Sequence, residues 1–258
     1  MIIDGHVHLT EPIEMLIEKM TQVQIDRAVI CCSGMARGEE IVDLASAENV
    51  MAEFIRLKSA GCDSTWVRAQ NEKLARAAAS FPDKIWAFGK LDLSLSIDQC
   101  MAEMEFCFDR KFKGFGEIVN FAGWWEKLGL ILAKSQSFGG MPIFFHCDSP
   151  VTKSELIRLC ELAQEYSGTP VIVGHMGGDY WQEAVKAAKF VSNVYVDCSE
   201  VANLVALRVA AVEAPQKVIF SSDFPWEDPA VSLTRLECLE LSEKVKESIL
   251  AKTLLQLL

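Results

Sequence analysis

The amino-acid sequence predicts an α/β fold, a (β/α)8 or TIM barrel. Short β-branched apolar runs alternate with stretches of helical periodicity, strand then helix, eight times over. Such alternation implies parallel strands joined by right-handed crossovers, and eight units in 258 residues match the repeat count and length of a closed barrel. The rival arrangement, an open doubly wound sheet, lacks its usual nucleotide rationale, because no G-x-G-x-x-G follows the first strand.

The first strand, 1–5, is the apolar opening Met1-Ile2-Ile3 running into Asp4 and Gly5, and its helix is 12–22. The second strand, 27–32, carries Ala28-Val29-Ile30-Cys31-Cys32, but the next regular helix starts only at 66. Between them, 33–65 is the longest departure from the unit. Gly34, Gly38 and Gly61 bracket a helical stretch there, expected to lie over the barrel mouth as an extra helix. The remaining strands are 85–91, 112–119, 142–146, 171–175, 194–198 and 218–223. Their helices are 97–109, 124–137, 153–166, 181–191, 200–214 and 229–241. Each shows apolar residues three and four apart, as Leu156, Leu159, Cys160 and Ala163 are. No repeat, linker or low-complexity tract intervenes, so 1–258 reads as one domain.

Half of the residues are hydrophobic, enough for a sizeable core, which argues against disorder and disulfide stapling. Lys and Arg number 25 against 36 Asp and Glu; a formal charge of -11 with no dense basic face argues against holding a phosphate backbone. Nine scattered cysteines behind no secretory leader read as reduced thiols of a cytosolic protein. No stretch approaches the ~18 uninterrupted apolar residues of a membrane span. The expectation is a soluble cytoplasmic protein that handles a small molecule, without nucleic-acid or membrane partners; a homodimer is compatible with it.

The chain has four histidines, and all of them fall at carboxyl ends of predicted strands. His6 and His8 follow the first strand as Asp4-Gly5-His6-Val7-His8, His146 ends the fifth, and His175 ends the sixth in Gly174-His175-Met176-Gly177-Gly178. Asp223 ends the eighth in Ser221-Ser222-Asp223-Phe224-Pro225-Trp226. This is the face on which barrel enzymes place their chemistry. Residues two apart on a strand share a side, so His6 and His8 can both aim into the barrel and grip one cation. Taken singly, a histidine at a strand end is ordinarily a hydrogen-bonded structural residue. Taken together, imidazoles and a carboxylate from several strands, with a position left to water, are what a catalytic zinc-type site requires.

On these motifs the chain resembles the amidohydrolase superfamily, and within it the amidohydrolase-related (amidohydrolase 2) branch of metal-dependent hydrolases and non-oxidative decarboxylases. The likeness spans essentially the whole chain, including Asn71 in the second regular helix and Phe81-Pro82-Asp83-Lys84-Ile85 entering the third strand. It implies a barrel of the metallo-dependent hydrolase type in which His6, His8 and Asp223 hold the deeper metal. Asp223 would also move a proton between metal-bound water and the leaving group. The resemblance further implies that His146 ligates that metal or a second one. His175 would ligate the second, or in a one-metal site hydrogen-bond the water or substrate. The metal would lower the pKa of bound water towards ~7 and polarise the attacked carbonyl. Zinc suits these donors best, at one or two ions per chain, while manganese, iron or cobalt could occupy the same set.

Two-metal members of the superfamily commonly bridge their ions with a carboxylated Lys or a Glu on strand four. This chain offers Phe112-Lys113-Gly114-Phe115-Gly116-Glu117-Ile118. Lys113 and Glu117 share a side, but at ~3.3 Å rise per residue Lys113 lies ~13 Å below the rim that Glu117 reaches. Glu117 is therefore the expected bridging ligand, with Gly114 and Gly116 leaving it room; the alternative is a carboxylate that caps the strand end.

Other residues invite over-reading. Cys147 adjoins His146, but neighbours on a strand point to opposite sides, so packing is the better account. Ser221 and Ser222 lack the turn of a serine nucleophile and are expected to satisfy backbone groups near Asp223. Phe121 and Trp226 are candidates to line the substrate pocket, and Arg37 to bind a substrate carboxylate or phosphate, against a solvated loop charge. The functional expectation is a metal-dependent hydrolase that uses a metal-activated hydroxide on an amide, ester, lactone or related bond. The alternative is a metal-dependent non-oxidative decarboxylase of a small unsaturated or aromatic acid. A third reading, a non-catalytic binding barrel, is opposed by the intact ligand set.

Overall fold

The computed structural model describes residues 1–32, 41–201 and 203–258. Eight strands, β1 (Ile3–His8), β2 (Arg27–Cys31), β3 (Ile85–Gly89), β4 (Gly114–Ile118), β5 (Ile143–Phe145), β6 (Val171–Val173), β7 (Val194–Asp197) and β8 (Val218–Ile219), lie in chain order in one sheet. Every neighbouring pair is parallel. The seam between β8 and β1 is drawn together by Gly5 N donating to Phe220 O (2.8 Å), His8 N to Phe224 O (2.7 Å) and Asp223 N to His6 O (2.9 Å). The result is a nearly closed (β/α)8 barrel, as the alternation predicts.

Side chains divide with the pleat. Val29 and Cys31 of β2, Phe88 of β3, Phe144 of β5, Ile172 of β6 and Ile219 of β8 meet Ile3 inside the barrel, where Ala251 and Leu254 of the C-terminal segment pack on them. The alternate residues, such as Ala28, Ile30, Val171 and Val173, face the helices. Each large apolar side chain buried this way is worth about 1.5–3 kcal/mol. The inner cluster also floors the site, since the Phe144 ring lies 4.4 Å from that of His6.

Two irregularities break the alternation. Ile3 faces the interior and Val7 the helices, and the pairing of β1 with β2 shifts between Asp4 and Val7. In an unbroken strand His6, three residues after Ile3, would face outward; the shift turns His6 and His8 inward. On β4, Phe115 and Ile118 both face the helices although three apart, and the register shifts between them. That shift, with Gly116 at φ 136°, carries Glu117 to the inside. Gly114 and Gly116 do not leave room beside Glu117, contrary to expectation. A Cβ at Gly114 would lie 2.7 Å from the Phe88 ring, and one at Gly116 would lie 2.6 Å from the Phe144 carbonyl oxygen.

The longer helices are α1 (Glu14–Gln22), α2 (Leu44–Ala60), α3 (Ser64–Ser80), α4 (Ile97–Asp109), α5 (Trp125–Ser137), α6 (Lys153–Glu165), α7 (Trp181–Phe190), α8 (Leu204–Glu213) and α9 (Pro229–Glu237), and shorter helical turns follow within 243–255. The additional helix expected within 33–65 is α2. Helix α3 starts before Trp66 because Asp63 caps it, accepting from Trp66 N. Helix α8 starts at Leu204 rather than at 200, because Asn203 accepts from Ala206 N, and Glu200 is left in the rim loop at φ 47°. Among the described residues no helix is long and apolar enough to cross a membrane.

Candidate metal centre at the carboxyl ends of the strands

His6 and His8 from β1 meet Asp223, which follows β8 in a left-handed turn (φ 65°) closed by Trp226 N donating to Asp223 O. Asp223 Oδ1 lies 3.3 Å from His6 Nε2 and 2.9 Å from His8 Nε2. Yet among the described residues His6 Nε2 and Asp223 Oδ1 are buried with no hydrogen-bond partner, so that ring nitrogen is not aimed at the oxygen. Polar atoms this close that ignore one another are placed to share a third body. The other ring nitrogen of His8, Nδ1, is anchored to Cys32 O at 2.9 Å, which leaves Nε2 as its free donor. Imidazole, imidazole and carboxylate are a donor set suited to a divalent cation.

The second cluster is organised differently. Glu117 Oε1 lies 2.9 Å from His146 Nδ1 and 3.2 Å from His175 Nε2, and those two nitrogens are 3.0 Å apart. His175 is aimed by a run of left-handed residues after β6, from His175 (φ 51°) and Met176 (φ 52°) through Gly177 and Gly178. Non-glycine residues adopt this conformation at a cost, typically at functional sites. His175 N is held by Asp197 Oδ1, which fixes the turn. The Cβ-less Gly178 lets the turn pass Asp148, whose Oδ1 would lie 2.1 Å from a Cβ there.

Burial alone would lower the pKa of His6, but the charge of Asp223 and the contact with Asp197 outweigh it and hold His6 at about 9. For His175 burial is likewise outweighed, by the Glu117 hydrogen bond and the Asp223 charge, and its pKa stands at about 10. Burial opposes ionisation of Glu117, yet His146 and His175 hold it well below the ordinary carboxylate range. Burial likewise opposes ionisation of Asp223, and His6 and His8 hold its pKa below the ordinary value. Ionised Glu117 and Asp223 thus face the His6 and His175 imidazoles, whose pKa values they raise.

A supporting layer lies beneath. Ser199 Oγ donates to Asp197 Oδ2 at 2.6 Å and sits 3.1 Å from His175 Nδ1 and 3.5 Å from His6 Nδ1. Ser222 binds Asp4 through both its amide (3.0 Å) and hydroxyl (2.6 Å), tying the residue before Asp223 to β1. Burial raises the Asp4 pKa to about 7 despite those hydrogen bonds.

The two clusters open on a cavity of about 370 Å3, within the usual range for small-molecule sites. Trp226 lines it, as expected. Phe121 does not: it is buried in the core with its ring edge-on to Phe145 (5.4 Å) and Trp125 (6.0 Å), because the chain after β4 turns back towards α5. Arg37 lies outside the described residues. Met51 of α2, Trp66 of α3, Lys90, Asp92 and Glu200 line the cavity and were not anticipated. Neither were Asp197 and Ser199, although an Asp closing the run Val194-Tyr195-Val196 was a legible signal. Ser222 accepts from Phe224 N near Asp223 as expected, whereas among the described residues the Ser221 hydroxyl is buried without a partner. Cys147 is buried, and burial pushes its thiol far above the ordinary range, which rules it out as a nucleophile.

A parallel barrel with converging imidazoles and carboxylates on its carboxyl-end rim defines a metal-dependent barrel enzyme. This chain belongs to the amidohydrolase family, whose model matches residues 3–253. No curated protein matches it. Among solved structures, 2,6-dihydroxybenzoate decarboxylase from Rhizobium is 16% identical, with a TM-score of 0.70 over 99% of this chain and 98% of that one. The 5-carboxyvanillate decarboxylase of Sphingomonas paucimobilis is 13% identical, with a TM-score of 0.70 over 99% and 98%. A dihydroxybenzoic acid decarboxylase from Polaromonas sp. JS666, with bound manganese and 2-nitroresorcinol, is 15% identical, with a TM-score of 0.69 over 99% and 96%. At such identities the likeness is one of fold.

Proposed function

We propose that this chain is a metal-dependent, non-oxidative decarboxylase of a small unsaturated or aromatic acid, working with one divalent cation. The observation that carries the reading is the contrast between the two donor sets. Among the described residues His6 Nε2 and Asp223 Oδ1 are buried and unbonded beside His8 Nε2, so this set is open to a common partner. Glu117, His146 and His175 satisfy one another instead. One open set and one closed set support a single ion held by His6, His8 and Asp223. A one-metal site is what the resemblance associates with decarboxylation, and the named decarboxylases among the structural neighbours support the same choice over hydrolysis.

A cation held by His6, His8 and Asp223 would supply Lewis acidity, stabilising the negative charge that develops as the carbon–carbon bond weakens. Zinc and manganese both suit the donors. His175 would hold on its imidazole the proton that the reacting carbon must receive, while Asp223 stays ionised as a metal ligand. The carbon takes that proton, its bond to the carboxylate breaks, the bonding pair stays with the carbon framework, and carbon dioxide leaves. Glu117 keeps His146 and His175 in register for this, and Trp66 and Trp226 offer flat walls to a ring.

The test is a panel of unsaturated and aromatic acids incubated with metal-loaded protein in 18O-water. Carbon dioxide released without 18O in the organic product supports the reading; 18O in the product without carbon dioxide overturns it. Hydrolysis is the second reading, favoured by Glu117 Oε1 lying between two imidazoles, the position of a bridging ligand. Two ions per chain, with the second lost in Glu117→Gln, would support it.

A further inference from the structure

Lys90 follows β3 and lines the cavity, with only 7% of its surface exposed. Among the described residues its ammonium forms no ion pair, and its polar contact is a long one, 3.5 Å, to the carbonyl oxygen of Glu117. The nearby carboxylate of Asp92 is engaged elsewhere: it accepts from Ser94 N (2.9 Å), Ser94 Oγ (2.6 Å), Asn120 Nδ2 (2.6 Å) and Cys62 N (3.0 Å). Asp92 therefore acts on the ammonium only from beyond ion-pair distance; a buried cation that no carboxylate among the described residues pairs with is costly, and a fold that keeps one in a cavity keeps it for an anion.

The position is built. Asn71, fully buried in α3, grips the Lys90 backbone on both sides, accepting from Lys90 N (2.7 Å) and donating to Lys90 O (3.1 Å). Asn71 also donates to Glu103 Oε2 (2.9 Å), and Glu103 is held in turn by Arg68. Helices α3 and α4 therefore set the base of the Lys90 side chain. In the strand order, β3 stands two strands from β1 and three from β8, so Lys90 enters the cavity from a different side than His6, His8 and Asp223. Trp66, Met51 and Cys62 supply apolar surface to the cavity walls.

We infer that Lys90 forms a second anion subsite, so that the substrate is a small ring or unsaturated compound with two anionic groups, one at the β1–β8 donor set and one on the Lys90 ammonium. Placement of the first group rests on the proposed decarboxylase reading; the Lys90 subsite does not.

The experiment is calorimetric titration of manganese-loaded protein with benzoate, isophthalate, terephthalate and 3-phosphonobenzoate. At least one dianion is expected to bind about tenfold or more tightly than benzoate, the scale of one charge-assisted contact. Lys90→Met should abolish that preference and leave benzoate affinity unchanged, and Lys90→Arg should retain part of it. Whether the dicarboxylates or the phosphonate show the larger Lys90 dependence identifies the second group. Equal binding of benzoate and all dianions to the wild-type protein overturns the inference even if Lys90→Met fails to fold, as does a dianion preference that survives in Lys90→Met. Carbon dioxide release is measured separately on the same panel. Lys90-dependent dianion binding without release defeats the decarboxylase reading and leaves the subsite standing. Carbon dioxide release with no dianion bound more tightly than benzoate does the opposite.

Discussion

His6 Nε2 and Asp223 Oδ1 are buried 3.3 Å apart and make no hydrogen bond, to each other or to any described residue. Unsatisfied buried polar atoms cost about 1–3 kcal/mol each, and a chain that carries two side by side, with His8 Nε2 beside them, gains when a cation takes all three.

The first prediction follows from that pair. Wild-type protein is expected to purify with about one divalent ion per chain, and His6→Ala with His8→Ala should reduce this to a trace. Elemental analysis measures it. Unchanged metal in the double variant removes these residues from the ligand set.

A second prediction concerns Ser199, whose hydroxyl touches Asp197 and reaches towards both His6 and His175. Ser199→Ala should leave the ion count at saturation unchanged and weaken metal affinity about 10–100-fold, the usual effect of losing a group that orients ligands. Competition with a chelator reads this out. Wild-type affinity in the variant would show that Ser199 orients neither ring.

Asn71→Ala strips partners from Lys90 N and Glu103 Oε2 in a buried setting. A loss of about 1–3 kcal/mol in urea unfolding is expected, with Asn71→Asp also destabilised because the donor to Glu103 becomes a second carboxylate. Stability equal to wild type in both variants contradicts the clamp.

Asp92 gives a pH prediction. Burial opposes its ionisation, but the hydrogen bonds from Ser94 and Asn120 and the charge of Lys90 hold its pKa below the ordinary carboxylate value. A depressed pKa contributes stability that is fully present above the unfolded value and is lost as pH falls through the folded one. The Tm gap between wild type and Asp92→Asn should therefore be widest near about pH 7 and narrow towards about pH 3. A gap that widens on acidification would reverse the sign of the argument.

Gly116→Ala is expected to destabilise by about 1–3 kcal/mol or more, because its Cβ would meet the Phe144 carbonyl at 2.6 Å and its φ is 136°. Thermal unfolding tests this. A neutral effect would mean that β4 can run straight past β5.

Some of this was legible in the sequence and some was not. Lys90 was hidden inside a strand expected to run to Leu91, and the pleat says nothing of where a strand stops. Glu200 was hidden in a helix expected to begin there, until the Asn203 cap shortened it. Phe121 was expected in the pocket on the strength of following a strand, but the direction of the loop after β4 depends on the α5 packing beneath it.

The eight-unit alternation, the face on which the histidines stand and the candidates for a donor set were determined by the sequence alone, because apolar periodicity and residue type are local properties. Which of those donors turn inward was not. Strict alternation from Ile3 points His6 away from the barrel, and from Phe115 it points Glu117 away. Only the register shifts against β2 and β5 reverse them. A shift of this kind is imposed by the neighbouring strand, through which carbonyls are within reach of which amides, so it belongs to the tertiary structure and not to the pattern of residues along one strand.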